Sequence, residues 1–301
     1  MGIYVEILVH GSMDELWEKT QEPKIHQRWD LRFSEIAYLP RGPGEPQKFL
    51  YATRIGAGMR IEGAGESTGE RNDSTGQRTS ALKFWSEDSK SLIKSGSGYW
   101  KYVPTAEGIR FFTFYDYQTR FGVPGKIVDR LFFRPAIGWA TAWSFDRLRL
   151  WIEEGIPPEA SRKQALTYSL SRLTLAFIWL YHGLIPKLIY HSPDEIRLLH
   201  DAGIASSSVG TAMSVFGWAE VCFALTLIIF WRSRWPLWLT ILAMLAATVG
   251  VSITSPSYLS AAFNPVTLNL AVITLSVVGL LMRKNLPSAR NCRRQPPGVE
   301  P

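Results

Sequence analysis

Glu220, His182 and Lys187 are ionisable residues set inside long apolar runs of this 301-residue chain, and that placement makes them its most chemically loaded positions. A charged side chain in hydrocarbon costs about 2.5–3.5 kcal/mol on insertion scales, so each needs a partner or a task. Glu220 falls near the middle of one run and His182 near the middle of the run before it, so antiparallel neighbours would bring the two to one depth. Lys187 lies about 7.5 Å further along a helix, close enough for its long side chain to be an alternative partner for Glu220. An imidazole that titrates near neutral pH beside a carboxylate that can pass on a proton describes a proton-linked site or a site for a quinone head group. The same groups also serve as a plain clasp between helices, with Lys187 reaching to the lipid interface. A clasp is made more cheaply from Ser, Thr or Asn, which favours a functional role for Glu220.

The elements that must position these groups are four apolar runs at residues 172–190, 210–231, 235–254 and 259–282. Each is near the ~20 residues a helix needs to cross the hydrocarbon of a bilayer. Basic residues punctuate them unevenly: Arg162, Lys163 and Arg172 at the start, Arg232 and Arg234 between the second and third runs, and Arg283, Lys284, Arg290, Arg293 and Arg294 after the fourth. The connection between the third and fourth runs carries no charge. By the positive-inside rule, the front of the chain, the Arg232 turn and the C-terminal tail are expected in the cytoplasm, making a multi-pass protein of the cell membrane. Lys187 and Arg197 fall on the opposite side, near Asp194, Glu195 and Asp201. The net charge of +7 thus belongs largely to lipid-facing flanks, and nucleic acid is not an expected partner. The stretch after Met1 is short, carries Glu6 and has no basic leader, so no signal peptide is expected. Two cysteines are too few for a disulfide framework, and no metal site is expected; Cys222 reads as a core residue and Cys292 as an exposed thiol.

Residues 1–155 read as one globular unit, 156–168 as a stiff polar linker, 169–284 as the membrane domain and 285–301 as a disordered basic tail. In the front unit a strand at 3–9 places Val5, Ile7 and Val9 on one face, and Ser12 with Glu15 starts a short helix bearing Leu16 and Trp17. A second helical piece ends at Trp29, six strands follow between residues 33 and 119, and a long helix runs to Glu154 with Gly155 as its stop. This is an α+β order: strand, two small helices, antiparallel meander, closing helix. Rings on both faces of the last strand leave open which face is inside. The candidates to line an apolar cavity are Trp17, Trp29, Trp85, Trp100, Phe112, Phe114, Trp139 and Trp143, with Gly96 and Gly98 either leaving room for a ligand or marking bulges.

That order, with Val5-Glu6-Ile7, Asp14-Glu15-Leu16-Trp17 and Trp29, resembles the helix-grip fold of the START-like or polyketide-cyclase-like (SRPBCC) superfamily. The resemblance implies a curved antiparallel sheet around a long C-terminal helix, and binding of a hydrophobic small molecule or lipid. In the second half, Arg172, the run from Trp179 through His182, Gly183 and Pro186 to Lys187, then Glu195, Gly217 through Glu220, and Asn264-Pro265 followed by Asn269 look like the DoxX-like family of four-helix membrane proteins. That resemblance implies an all-α transmembrane bundle working beside other subunits, in some relatives in quinone-linked redox complexes.

Three functional expectations follow. The chain binds an apolar molecule, lipid or quinone in its front domain and exchanges it with the bilayer. Alternatively it is a subunit of a quinone-linked oxidoreductase, with Glu220, His182 and Lys187 at the site and electrons supplied by a redox partner subunit. As a third reading it is a structural scaffold of a membrane complex. The chain carries no haem, flavin or iron–sulfur motif and no nucleophile elbow or phosphate loop, so a stand-alone enzyme is not expected.

Overall fold

A computed structural model describes residues 2–298. Contacts divide the chain into two units, one of residues 2–162 together with 287–298 and one of Lys163–Leu286.

In the first unit, β1 (Ile3–Val9) buries Val5, Ile7 and Val9 on one face, as its alternation requires. The Ser12 side chain accepts a hydrogen bond from Glu15 N at 3.1 Å and starts α1 (Met13–Gln21). Pro23 opens α2 (Pro23–Trp29), where its missing N–H has no helical partner to lose. The meander then runs through β2 (Glu35–Tyr38), β3 (Lys48–Ile55), β4 (Met59–Asn72), β5 (Arg78–Trp85), β6 (Ile93–Thr105) and β7 (Gly108–Thr119). β1 returns to pair with β7, which gives an all-antiparallel sheet of order β1-β7-β6-β5-β4-β3-β2. After α3 (Gly122–Val128) and one π-helical stretch, α4 (Arg134–Glu154) closes the unit, and Gly155 ends it at φ 65°, where a side chain would be strained. This is the helix-grip architecture that the order of elements implied.

Register decides which sheet face is inside. Phe111, Thr113, Tyr115 and Tyr117 of β7 are buried against the helices, and Phe111 stacks on Phe145 of α4 at 4.4 Å. The Tyr115 hydroxyl meets Thr141 Oγ1 at 2.9 Å, and the Tyr117 hydroxyl donates to Asp129 Oδ1 at 2.6 Å. Tyr102 stacks on the other side of Phe111 at 4.9 Å, with Leu16, Trp29 and Leu148 completing the core. Fully burying each such side chain stabilises the fold by roughly 1.5–3 kcal/mol. α4 lies along β1 and against β7.

The tail is a correction to the sequence expectation of disorder. Residues 287–298 belong to the first unit. The Asp146 carboxylate of α4, wholly buried, accepts from Ser288 N at 2.7 Å, Asn291 Nδ2 at 2.9 Å and Arg149 Nε at 2.8 Å. Arg293 exchanges both backbone hydrogen bonds with Glu6 at 2.8 Å, covering part of the free edge of β1. Proline and arginine content hid this segment. What orders it is a buried acceptor and an open strand edge, both of which need partners.

The second unit continues α5 (Pro158–His182) through π-helical turns at Gly183–Ile189. The segment expected as a linker is therefore helical from Pro158 onward. A 93° bend leads to α6 (Pro193–Asp201), and α7 (Val209–Ile229), α8 (Trp235–Thr254) and α9 (Pro265–Met282) follow. These last three are long and apolar enough to cross a membrane, and the segment Pro158–Ile189 with α6 passes the same test as a bent pair. The cysteines reverse their expected roles: Cys222 faces outward from α7, while Cys292 is buried and donates to the Ala142 carbonyl at 3.1 Å.

Candidate functional site

The inner face of β3 to β6 carries rings and glycines in alternation. One cross-strand row reads Phe49, Gly65, Phe84, Gly96, Tyr117 from β3 to β7. A Cβ on Gly65 would lie 2.3 Å from Phe49 Cζ, and one on Gly96 would lie 2.4 Å from Phe84 Cζ. Gly63 is covered in the same way by Tyr51, at 2.3 Å. The glycines let the rings lie down across the neighbouring strand, so the sheet presents flat, half-buried aromatic surface. Gly96 and Gly98 thus neither leave empty wells nor mark a bulge; the irregularity in β6 falls between Ile93 and Ser95. Phe33 extends the surface by meeting Tyr51 at 5.6 Å.

At the end of this surface, α2 carries His26, whose ring lies 4.9 Å from Trp100, 5.0 Å from Trp29 and 5.3 Å from Phe33. His26 Nε2 is 2.9 Å from Asp30 Oδ2. Asp30 is fully buried and is held from the other side by Arg32, through Nη2 at 2.6 Å and Nε at 2.9 Å. Burial alone would raise the Asp30 carboxyl, but the Arg32 charge and the hydrogen bonds from His26 and Arg32 keep it well below the usual carboxylate range. Burial lowers the His26 pKa, against the opposing pull of Asp30. Together these fix a neutral imidazole whose Nε2–H donates to an ionised carboxylate, leaving Nδ1 as an acceptor. The sequence reading missed all three. The i, i+4 spacing of His26 and Asp30 across a helix end was the available signal, but a helix this short shows no clear periodicity.

The expected cavity residues divide by face. Trp100 belongs to the inner surface and Trp29 lies fully buried behind His26, with its Nε1 donating to the Lys19 carbonyl at 2.8 Å. Trp17 packs on Tyr102 at 5.1 Å. Trp143 is half-buried beneath Arg147, and Trp139 is 48% exposed on α4. Phe112 and Phe114 are corrections. Alternation with buried Phe111 and Thr113 turns them to the outer face, where they meet Tyr99 at 6.3 and 6.2 Å. Trp85 is turned outward likewise, because its neighbour Phe84 takes the inner position.

In the membrane unit, Lys187 Nζ bridges Glu195 Oε1 at 3.1 Å and Glu220 Oε1 at 3.2 Å. Lys187, the expected alternative, is thus the partner of Glu220, and Glu195 joins them. His182 makes a ring contact with Tyr181 at 6.2 Å and no ion pair with Glu220 among the described residues. Lys187 lies in the π-helical turns Gly183–Ile189, which pack against α7. Glu220 Oε2 is buried and has no hydrogen-bond partner among the described residues. Gly183 and Gly217 bring the two backbones together, since a Cβ on Gly183 would lie 2.6 Å from the Gly217 carbonyl oxygen.

The remaining motif residues are structural joints. Arg172, fully buried, donates to the carbonyls of Leu227 at 2.9 Å, Phe230 at 2.8 Å and Ser233 at 3.0 Å, satisfying the free C-terminal end of α7. Trp179 Nε1 donates to Thr240 Oγ1 at 3.3 Å. Asn264 caps α9 by accepting from Thr267 N at 2.9 Å, with Pro265 in the first turn, and Asn269 Nδ2 donates to Thr248 Oγ1 at 2.9 Å. Among the described residues no His, Cys, Asp and Glu cluster has metal-ligand geometry.

This membrane unit has recognisable relatives. Residues 176–277 match the model of the DoxX-like family. An uncharacterized membrane protein of Bacillus subtilis (strain 168), YndG, is 48% identical over 182 residues, which is 60% of this chain and 68% of YndG. The chain belongs to the same family as YndG. With apolar helices of span length and this relative, it is a membrane protein with a DoxX-like region at residues 176–277. Among solved structures, the first unit is similar to a STAR-related lipid transfer protein from Xanthomonas axonopodis, at 13% identity over 49% of this chain and 82% of that one, with a TM-score of 0.39. It is also similar to the Zhui aromatase/cyclase of a Streptomyces species, at 12% identity over 51% of this chain and 96% of that one, with a TM-score of 0.38.

Proposed function

We propose that this chain binds an apolar small molecule or lipid on the inner face of its first unit and exchanges it with the bilayer that holds its second. The observation that carries this reading is the surface of Phe33, Phe49, Tyr51, Phe84 and Trp100, half-buried rings gathered on the inner sheet face. Contiguous ring surface of this kind costs free energy in water and is stabilised when an apolar ligand covers it. Arg162, Lys163, Arg232, Arg234, Arg283 and Lys284 flank the apolar helices, and the positive-inside rule assigns those flanks to the cytoplasm.

The test is purification of the full chain in mild detergent, organic extraction and mass spectrometry. The expected result is one apolar species enriched near stoichiometry over bulk lipid, and reduced several-fold in Tyr51→Ala. An extract that matches bulk membrane lipid in both proteins overturns the proposal. A second reading, a membrane site for a proton or a quinone head group, draws on the unpartnered Glu220 Oε2 beside Lys187. Loss of quinone-dependent activity in Glu220→Gln, with ligand retained by the first unit, would establish it over binding alone.

A further inference from the structure

His26 uses one of its two ring nitrogens. Its Nε2 is committed to Asp30 at 2.9 Å, and its Nδ1 has no hydrogen-bond partner among the described residues. The side chain is 12% exposed, wedged between Trp29, Phe33 and Trp100, and Nδ1 is not among the sealed, unpartnered atoms of the unit. Asp30 cannot swing away to release the ring, because Arg32 holds both of its oxygens. The imidazole is therefore fixed in orientation and in tautomer, and it offers one lone pair at the end of an aromatic surface.

We infer that His26 Nδ1 reads a hydroxyl or N–H donor on the ligand, so that the molecule bound here is an apolar body with a hydrogen-bond donor at the end nearest α2. This rests on the proposed binding face and adds to it the polarity of the ligand's head. The rings of Phe33, Tyr51 and Phe84 take the body, and His26 selects donors over ethers or hydrocarbons of the same shape. Asp30 and Arg32 act as positioning residues. The selection comes from an acceptor that an ether oxygen leaves unsatisfied in a nearly dry setting.

The probes are 1-naphthol and 1-methoxynaphthalene, titrated by calorimetry into the full chain in lipid nanodiscs, with empty nanodiscs subtracted. The wild type should prefer 1-naphthol by about tenfold, the worth of one good hydrogen bond. His26→Phe should erase the preference, bringing the affinities of the two probes to within about twofold of each other. Equal binding of the two probes by the wild type overturns the role of His26 and leaves the apolar face standing. Binding of neither removes both readings together. A measurement free of variants guards against a misfolded substitution: diethyl pyrocarbonate labelling of His26, read by peptide mass spectrometry, should fall with 1-naphthol bound. Undiminished labelling at saturating 1-naphthol also overturns the assignment.

Discussion

Each unit buries a charged cluster, and the two are balanced differently. In the first, Asp30 has an arginine and a histidine around one carboxylate, and every carboxylate oxygen is bonded. In the second, Lys187 is shared by two carboxylates, and Glu220 keeps one buried oxygen without a partner. A saturated cluster is a rigid support, and here it aims a neutral imidazole at the ring surface. An unsaturated one keeps capacity for a proton or a polar group that arrives from elsewhere. The lesson is that the chemistry of a buried charge depends less on its presence than on whether its bonds are already filled.

The comparison breaks most sharply at Lys187. Lys187→Met strands two carboxylates with no cation, and breaking such a pair typically costs about 3–5 kcal/mol. The expected outcome is a large loss of folded protein by size-exclusion fluorescence in detergent, whereas Glu220→Gln, which removes the surplus carboxylate charge, should be tolerated. A Lys187→Met protein as stable as the wild type would mean that the cluster is not held by its charges. Next comes Asp30→Asn, which leaves Arg32 buried without its counter-charge; about 3 kcal/mol of the first unit's stability should go, seen in a denaturant titration monitored by tryptophan fluorescence. An unchanged midpoint there would remove the claim that Asp30 supports the site.

Gly96→Ala tests the ring surface apart from the charges. The new Cβ would lie 2.4 Å from Phe84 Cζ and 2.6 Å from the Asp116 carbonyl oxygen, so both ring and strand must shift. Overpacking of this kind costs about 1–3 kcal/mol, and raising the Phe84 ring off the sheet should weaken binding of an apolar probe. Retained affinity in a destabilised protein would show that the ring's position is structural only.

The sequence made the helix-grip order and the four apolar runs legible because strand alternation and span length are strong periodic signals. It also delivered Glu220 and Lys187, since a charge in an apolar run is conspicuous. What it concealed depended on partners distant in the chain. Phe111 and Phe112 look alike until pairing with Tyr102 and Lys101 fixes which is inside. The tail looked unstructured because Asp146, which binds it, lies in a helix more than a hundred residues away. An ideal helical count put His182 at the depth of Glu220, whereas the ion pair runs from Glu220 to Lys187 in the π-helical turns beyond it. Histidine 26 sat in a helix too short to show a face.

The smallest expected effect is a pH dependence that separates the two clusters. Burial lowers the pKa of His26 in the folded state from its ordinary ~6.5, so below that pH the unfolded chain binds a proton that the folded one resists. Stability therefore rises with pH across the window between the folded and unfolded values, and falls as pH drops below about 6.5. Asp30 acts lower: its folded pKa is depressed, so its contribution is present above its unfolded value of ~3.9 and is lost only as pH falls toward the folded one. A denaturant midpoint for the first unit followed from pH 8 to pH 5 should thus decline below about pH 6.5 in the wild type and stay flat in His26→Phe. A wild-type midpoint that does not move in this interval would mean that the imidazole takes up its proton as readily folded as unfolded. The neutral acceptor at Nδ1, on which donor selection rests, would then go with it.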